Sequence, residues 1–166
     1  APFELTSPSA ILCEASTGRV IFEKNADERR PVASVNKVMT ILLTLEAIDE
    51  GRASQEDRVT ISTRAASMGG SQAFLDAGES YKLGELLKTV IVASANDSAV
   101  ALAEYLAGSE EGFVKQMNAR AEELGLENTH YVNCTGLPAQ NHYTTARDVA
   151  KLSAQLDLHP LYYKYS

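Results

Sequence analysis

The stretch that decides the fold is PVASVNKVMTILLTLEAIDEG, residues 31–51. A proline opens it, Gly51 closes it, and the apolar residues between them recur at helical spacing. Ser34 stands where the helix should begin, and Lys37 follows three positions later. Because residues three apart are neighbours on a helix surface, the sequence predicts that these two side chains lie side by side. An amine beside a hydroxyl can activate a serine as a nucleophile.

The same two residues have a simpler interpretation. Serine is a common N-cap residue, lysine is common on surfaces, and a Ser-x-x-Lys match is expected about once by chance in a chain of this size. The surroundings favour the catalytic hypothesis. Unpaired N–H groups and the dipole at a helix start stabilise developing negative charge, and apolar neighbours would desolvate Lys37 and lower its pKa.

Composition limits the class of protein. The 166 residues are 45% hydrophobic and 22% charged, which is typical of one soluble globular domain, and no apolar run is long enough to cross a bilayer. The formal charge of −7, without a basic stripe, argues against nucleic acid as a partner. The chain starts at Ala1, which fits a mature protein whose export signal has been removed or a trimmed chain.

Neither the cysteines nor the histidines indicate a metal or another cofactor. Cys13 and Cys134 lack metal-ligand spacing, and we expect two buried free thiols rather than a disulfide. No two histidines have ligand spacing. We expect loop packing for His142 and a structural or exposed place for the other two histidines.

The rest of the chain is typical of a small β element followed by a helical majority. Two short apolar segments, 9–14 and 19–23, flank a turn with Gly18, which predicts a β-hairpin packed on the Ser34 helix. Apolar patterns and end signals predict a strand at 59–62, helices at 83–93, 98–106 and 110–124, and a last helix from Thr145 to about Leu156 that Pro160 stops.

The tripeptide Ser94-Ala95-Asn96 interrupts the pattern between two apolar helices. On its own, it is best explained as a helix-breaking cap. A hydroxyl at this place could also relay a proton, and an asparagine amide could donate to a substrate carbonyl and accept from a lysine. Both interpretations stay open on these residues alone.

The order Ser-x-x-Lys and then Ser-x-Asn resembles the motif set of penicillin-binding proteins and class A β-lactamases. Three longer blocks extend the resemblance to most of the chain. They are STGRVIFEKNADERRPVASVNKVMTILLTLE at 16–46, GGSQAFLDAGESYKLGELLKTVIVASANDSAVALAEYLAG at 69–108 and NTHYVNCTGLPAQNHYTTARDVAKLS at 128–153. These blocks are similar to the D-alanyl-D-alanine carboxypeptidases, which are the low-molecular-mass penicillin-binding proteins.

The resemblance implies an α+β fold of the β-lactamase/transpeptidase type, with an N-terminal β-hairpin and a helical lobe. It implies an exported cell-wall enzyme that removes the terminal D-alanine from the pentapeptide stem of peptidoglycan, uses no cofactor and is acylated by β-lactams. By motif position, Ser34 matches the acylated nucleophile and Lys37 the general base. Ser94 matches the proton-relay serine, and Asn96 matches the substrate-orienting asparagine.

One family motif is missing. Lys-Thr-Gly, or a close variant, does not occur in these 166 residues; in the family it lies further along the chain, on a strand of the central sheet. We therefore expect residues 1–166 to be a partial domain that ends before this strand, lacks the remaining strands of the sheet and has little activity alone. Membrane attachment through a further C-terminal region would fit the family.

Two other functions stay open. A β-lactamase-like hydrolase needs a fast deacylation base, usually a glutamate, and neither Glu122 nor Glu127 carries a recognisable motif. A non-catalytic cell-wall binding or assembly fragment would keep the cleft without turnover, and an exposed sheet edge could pair with another chain.

Overall fold

The computed structural model describes residues 4–166, which form seven helices and three two-stranded antiparallel sheets. The helices are α1 (Lys37–Asp49), α2 (Thr63–Ala66), α3 (Leu83–Ala93), α4 (Asn96–Ala107), α5 (Glu110–Glu123), α6 (Ala146–Leu156) and α7 (Pro160–Tyr165). The strands are β1 (Ala10–Cys13), β2 (Val20–Lys24), β3 (Arg30–Pro31), β4 (Arg58–Thr60), β5 (Ser80–Lys82) and β6 (Tyr143–Thr144), paired as β1 with β2, β3 with β6 and β4 with β5. Across residues 4–166, none of the helices is long and apolar enough to cross a membrane.

The hairpin β1–β2 forms as predicted, but its main helical partner is α6 rather than α1. Arg147, in the first turn of α6, links this helix to the hairpin and the loop after it. Its backbone N–H donates to Ala26 O at 3.0 Å, and its guanidinium binds the carboxylates of Asp27 and Glu23. The expectation that the hairpin packs on α1 was wrong, because the apolar side chains of α1 are already covered by other helices. Cys13, in β1, is a partly buried free thiol.

The helix α1 lies in the middle of the helical part. It contacts α3, α4, α5 and α6, and its Leu42 and Leu45 are at most 1% exposed. The helix α4 can approach its neighbours closely because Ala99, Ala101 and Ala103 are buried along it. Burial of apolar surface, at about 25 cal/mol per Å², is the main force that holds these helices together.

Most helix ends follow the signals in the sequence. Ser62, Ser109 and Thr145 each accept a hydrogen bond from the backbone N–H three residues further on. One expectation was wrong, since Pro160 begins α7 instead of only stopping α6. Proline at the first position of a helix loses no hydrogen bond. The strands β3, β5 and β6 were not predicted, and at two or three residues each they are too short to show an alternating pattern.

We expect Ser109→Ala to lower the free energy of unfolding by about 1 kcal/mol. The reason is that the Gly112 N–H, which donates to Ser109 Oγ at 3.0 Å, loses its acceptor at the start of α5. Ser109→Thr keeps an oxygen at this place and should match the unsubstituted protein. Urea denaturation followed by circular dichroism measures both variants, and equal stabilities for the two would contradict the capping role.

Candidate active site

Ser34 begins a short 3-10 turn, Ser34–Asn36, that leads into α1. No side chain caps this turn or the start of α1. Ser34 is exposed, and within residues 4–166 no hydrogen bond uses its hydroxyl. Ser34 is therefore not the helix cap that the simpler interpretation required, and its hydroxyl is available for another role.

Lys37, the first residue of α1, is 3% exposed and so is not a surface lysine. Its Nζ donates to the backbone oxygen of Thr135 at 2.6 Å, and it forms no hydrogen bond with the Ser34 hydroxyl in this structure. Burial is the main cause that lowers the pKa of Lys37, and nearby Cys134 opposes it. A lysine with a lowered pKa is neutral more often and can act as a general base.

A segment of four residues, 133–136, lies against the start of α1 and is called the 133–136 strap below. Three consecutive carbonyls of the strap accept hydrogen bonds from side chains of the turn and α1. The bonds are Asn36 Nδ2 to Asn133 O at 3.0 Å, Thr40 Oγ1 to Cys134 O at 2.8 Å and Lys37 Nζ to Thr135 O at 2.6 Å. Gly136 allows this approach, since it has a φ of +86° and an added Cβ would lie 2.0 Å from Ala33 O.

Glu110 holds the same strap from α5. Its carboxylate accepts from the Cys134 N–H at 3.3 Å, lies 3.4 Å from the Cys134 Sγ and pairs with Arg64 of α2. Burial, together with this carboxylate, raises the pKa of the Cys134 thiol, so the free thiol stays protonated. In the part of the chain that the structure describes, no three His, Cys, Asp or Glu side chains gather as a metal site requires.

Ser94 ends α3 in a left-handed conformation, with φ +54° and ψ +38°. Its N–H still donates to Val90 O at 3.1 Å, and the Ala95 N–H donates to Thr89 O at 3.3 Å. Glycine is the usual residue at such a position, and a residue with a Cβ there costs roughly 1–2 kcal/mol. A serine in a strained conformation suggests that its hydroxyl has a role beyond ending the helix.

Asn96 begins α4 and is 4% exposed. Its Nδ2 donates to Gly69 O at 2.7 Å, and its backbone N–H donates to Ser71 O at 2.7 Å. The side-chain Oδ1 of Asn96 is buried and has no hydrogen-bond partner among the described residues. An unpaired buried acceptor costs about 1–3 kcal/mol, which is a reason to expect a ligand or a moving side chain as its partner.

Asp97 lies in the first turn of α4, because the helix begins at Asn96 and not at residue 98 as predicted. Its carboxylate accepts from the N–H groups of Ala73 at 2.9 Å and Leu75 at 3.2 Å, and also from the Ser98 N–H at 2.8 Å. Together with the bonds of Asn96, this holds the loop before Leu75 against the start of α4.

The four predicted residues thus lie at two places. Ser34 and Lys37 are at the start of α1, Ser94 and Asn96 are at the junction of α3 and α4, and α1 contacts both of these helices. Within residues 4–166, no hydrogen bond joins one pair to the other. A cavity of about 360 Å³ lies between the hairpin and α6, and none of the four lines it. The resemblance of the motifs predicts that the four side chains converge on one cleft, and this convergence stays a prediction.

Sequence reasoning missed the residues that hold the site. Thr135 binds Lys37, Asn36 binds the same strap at Asn133, and Asp97 binds the loop before Leu75. His142, expected to pack in its loop, is 4% exposed and its Nε2 lies 2.8 Å from Asn36 Oδ1. The only local signal was the glycine at 136, whose position marks a close approach of two backbones.

Solved structures with the same fold are penicillin-binding proteins and D-alanyl-D-alanine carboxypeptidases. The chain matches the carboxypeptidase DacD of Francisella tularensis with a TM-score of 0.96 and 38% identity, over 99% of this chain and 40% of that one. For penicillin-binding protein 6B of Escherichia coli, the TM-score is 0.93, the identity is 35% and the shares covered are 98% and 54%. The fold and the Ser-x-x-Lys turn thus define a protein of the penicillin-binding, transpeptidase-like class, which confirms the fold expected from the sequence.

The family is more specific than the class. The chain belongs to the peptidase S11 family, D-alanyl-D-alanine carboxypeptidase, whose family model matches residues 1–166. The D-alanyl-D-alanine carboxypeptidase DacF of Bacillus subtilis is 50% identical over 148 residues, which are 89% of this chain and 38% of that protein. The chain therefore spans about two fifths of the length of this relative.

We expect Ser94→Gly to be more stable than Ser94→Ala by about 1 kcal/mol, because glycine adopts the left-handed conformation without a Cβ clash. Both variants lack the hydroxyl, so their difference isolates the effect of the backbone conformation. Urea denaturation of the two proteins measures it. An alanine variant as stable as the glycine variant would contradict the strained conformation of Ser94.

Proposed function

We propose that the chain is the Ser34-containing part of a serine-type D-alanyl-D-alanine carboxypeptidase, which removes the terminal D-alanine from peptidoglycan pentapeptide stems. The observation that carries the proposal is a buried lysine of lowered pKa, Lys37, one turn after an exposed serine whose hydroxyl caps no helix. Membership of the peptidase S11 family supports this class of reaction.

The proposed reaction begins with proton transfer. Neutral Lys37 takes the proton of the Ser34 hydroxyl, and Ser34 Oγ bonds to the carbonyl carbon of the penultimate D-alanine. The unpaired backbone N–H at Ser34 donates to the oxygen on which negative charge develops. The peptide C–N bond then breaks, the leaving amine of D-alanine receives a proton, and water later hydrolyses the ester on Ser34.

The junction of α3 and α4 supplies the remaining groups of the proposal. Ser94 relays the proton toward the leaving D-alanine, for which its hydroxyl at the end of α3 is free among residues 4–166. Asn96 orients the substrate, because its Oδ1 is an acceptor without a partner among residues 4–166 while its Nδ2 is held by Gly69 O. Neither role requires a metal or an organic cofactor.

The partners follow from the reaction. The stem peptide of peptidoglycan lies outside the cytoplasm, so the protein would be exported and would act at the cell wall, with membrane attachment through a further region as an additional proposal. β-Lactams would acylate Ser34 as mimics of D-alanyl-D-alanine; one structural relative, penicillin-binding protein 6B, is named for that property. The charge of −7 disfavours nucleic acid as a partner.

We expect the complete gene product to be labelled covalently by a fluorescent penicillin, and we expect Ser34→Ala to abolish the label because the ester oxygen is lost. Ser16→Ala, an exposed serine in the turn of the hairpin, is the matched control and should label fully. Gel fluorescence and intact mass measure both. Equal labelling of the Ser34→Ala protein would refute the assignment.

The same assay separates the alternatives. Stoichiometric labelling together with release of D-alanine from a D-Ala-D-Ala peptide supports the carboxypeptidase. Rapid catalytic consumption of penicillin would indicate a β-lactamase-like hydrolase instead. Absence of any label on the folded protein would favour a non-catalytic binding fragment.

We expect the rate of acylation to rise with pH through the pKa of Lys37, because only the neutral amine can accept the Ser34 proton. Burial lowers this pKa, so the rise should lie below the range of an ordinary lysine. Lys37→Arg keeps a charge that cannot be lost and should abolish acylation. Lys88→Arg, on the exposed face of α3, should leave the profile unchanged, and a Lys37→Arg protein that reacts normally would rule out Lys37 as the base.

A further inference from the structure

We infer that His142 is a positioning residue of the proposed active site, which fixes the orientation of the Asn36 amide and, through it, the 133–136 strap that binds Lys37. The inference rests on the proposed function, because it assigns to His142 an effect on the acylation of Ser34. The observation behind it is that hydrogen bonds connect the His142 ring to Asn36 and Asn36 to Asn133 O, while Thr135, two residues further along the same strap, accepts from the Lys37 amine.

The hydrogen bonds around Asn36 allow one arrangement of protons. Its Nδ2 lies 3.0 Å from Asn133 O, and its Oδ1 lies 2.8 Å from His142 Nε2. A backbone carbonyl oxygen can only accept, so the amide NH₂ must face Asn133 and the amide oxygen must face His142. An amide oxygen cannot donate, so His142 Nε2 must carry the ring proton. A backbone atom of the strap thus determines the tautomer of His142.

The surroundings of His142 keep that tautomer neutral and in place. His142 is 4% exposed, and Asn36 is 1% exposed. Burial is the main cause that lowers the pKa of His142 to about 4, and nearby His130 contributes in the same direction. At neutral pH the ring therefore has a single proton. Tyr131 meets the ring edge-on, with centroids 6.1 Å apart, and restricts its rotation.

The strap transmits the orientation of Asn36 to Lys37. Asn133 is bound on its backbone oxygen by Asn36, and its side-chain Oδ1 accepts from the N–H groups of Thr135 at 3.2 Å and Gly136 at 2.8 Å. Thr135, whose N–H is held in this way, carries the backbone oxygen that accepts from Lys37 Nζ. A change at Asn133 would therefore move the acceptor of Lys37 and admit water to its amine.

Packing alone does not explain a histidine at this place. Its Nδ1 is buried without a hydrogen-bond partner among the described residues, and an unpaired buried nitrogen destabilises the fold. A phenyl ring would pack against Tyr131 without that cost. What a phenyl ring cannot supply is the Nε2–H that the oxygen of Asn36 accepts.

Three substitutions at one position test this role in the complete gene product. His142→Phe keeps a ring without a donor, His142→Asn places an amide near the position of Nδ1, and His142→Gln can place an NH₂ group near the position of Nε2. His159→Gln is the control, since His159 binds Asp49 on the surface. The readout is the second-order rate constant of acylation by a fluorescent penicillin, measured against pH.

We expect the Phe and Asn variants of His142 to react about tenfold more slowly. Their pH profiles should rise at higher pH, because water that reaches Lys37 removes the burial that lowers its pKa. The Gln variant should recover most of the rate at an unshifted pH, and the His159→Gln control should match the unsubstituted protein. If His142 had only a structural role that does not use the Nε2 donor, the Gln and Asn variants would react alike.

The inference is overturned if His142→Phe acylates with the normal rate and pH profile, or if His142→Gln is as slow as His142→Asn. Should the Phe variant not fold, the comparison of Gln with Asn decides. Nitrogen NMR of the histidine-labelled protein gives an independent readout, and a proton on Nδ1 of His142 would refute the series of bonds. Failure of the proposed function is distinguishable, because the unsubstituted protein would then not label through Ser34 at all.

Discussion

The structure around Ser34 depends on the burial of one amine. Lysine is almost never buried without a partner, and an ammonium group is far more costly to bury than a neutral amine. Here Lys37 is 3% exposed at the start of α1, and Thr135 O binds its Nζ at 2.6 Å. The carbonyl satisfies the N–H of the amine without adding a full negative charge that would stabilise the ammonium form. Burial thus lowers the pKa of Lys37, as its proposed role as a general base requires.

The sequence predicted the contacts between residues that are close in the chain, and not the contacts between distant residues. The apolar stripe of α1 is long and regular, so the helix and the neighbouring positions of Ser34 and Lys37 could be predicted from spacing. The strap has no periodicity, and Asn36 meets Asn133 across 97 positions of the chain. The same limit explains the error on the hairpin, whose link to α6 runs from Glu23 to Arg147 over 124 positions. No local pattern encodes contacts of this kind.

The junction of α3 and α4 shows a different limit. Its interruption was visible in the sequence, because the polar residues of Ser94-Ala95-Asn96 interrupt the apolar pattern of the two helices. Its conformation was not, since nothing in the residue types requires a serine to adopt φ +54° or an asparagine to begin a helix with a buried side chain. The carboxylate of Asp97 provides the physical reason for part of it. This carboxylate binds two backbone N–H groups of the preceding loop and so holds that loop against the start of α4.

A few residues have a buried polar atom without a hydrogen-bond partner or a strained backbone conformation. Within residues 4–166, the two buried side-chain atoms without a hydrogen-bond partner are Asn96 Oδ1 and His142 Nδ1. Of the non-glycine residues with positive φ in this part, the two that are not asparagine are Ser94 and Phe74, and Phe74 lies between the two residues whose N–H groups bind Asp97. Natural sequences keep such costs where function requires them. Two of these four residues, Ser94 and Asn96, belong to the Ser-x-Asn motif, and a third, His142, is bound to Asn36 of the Ser-x-x-Lys turn.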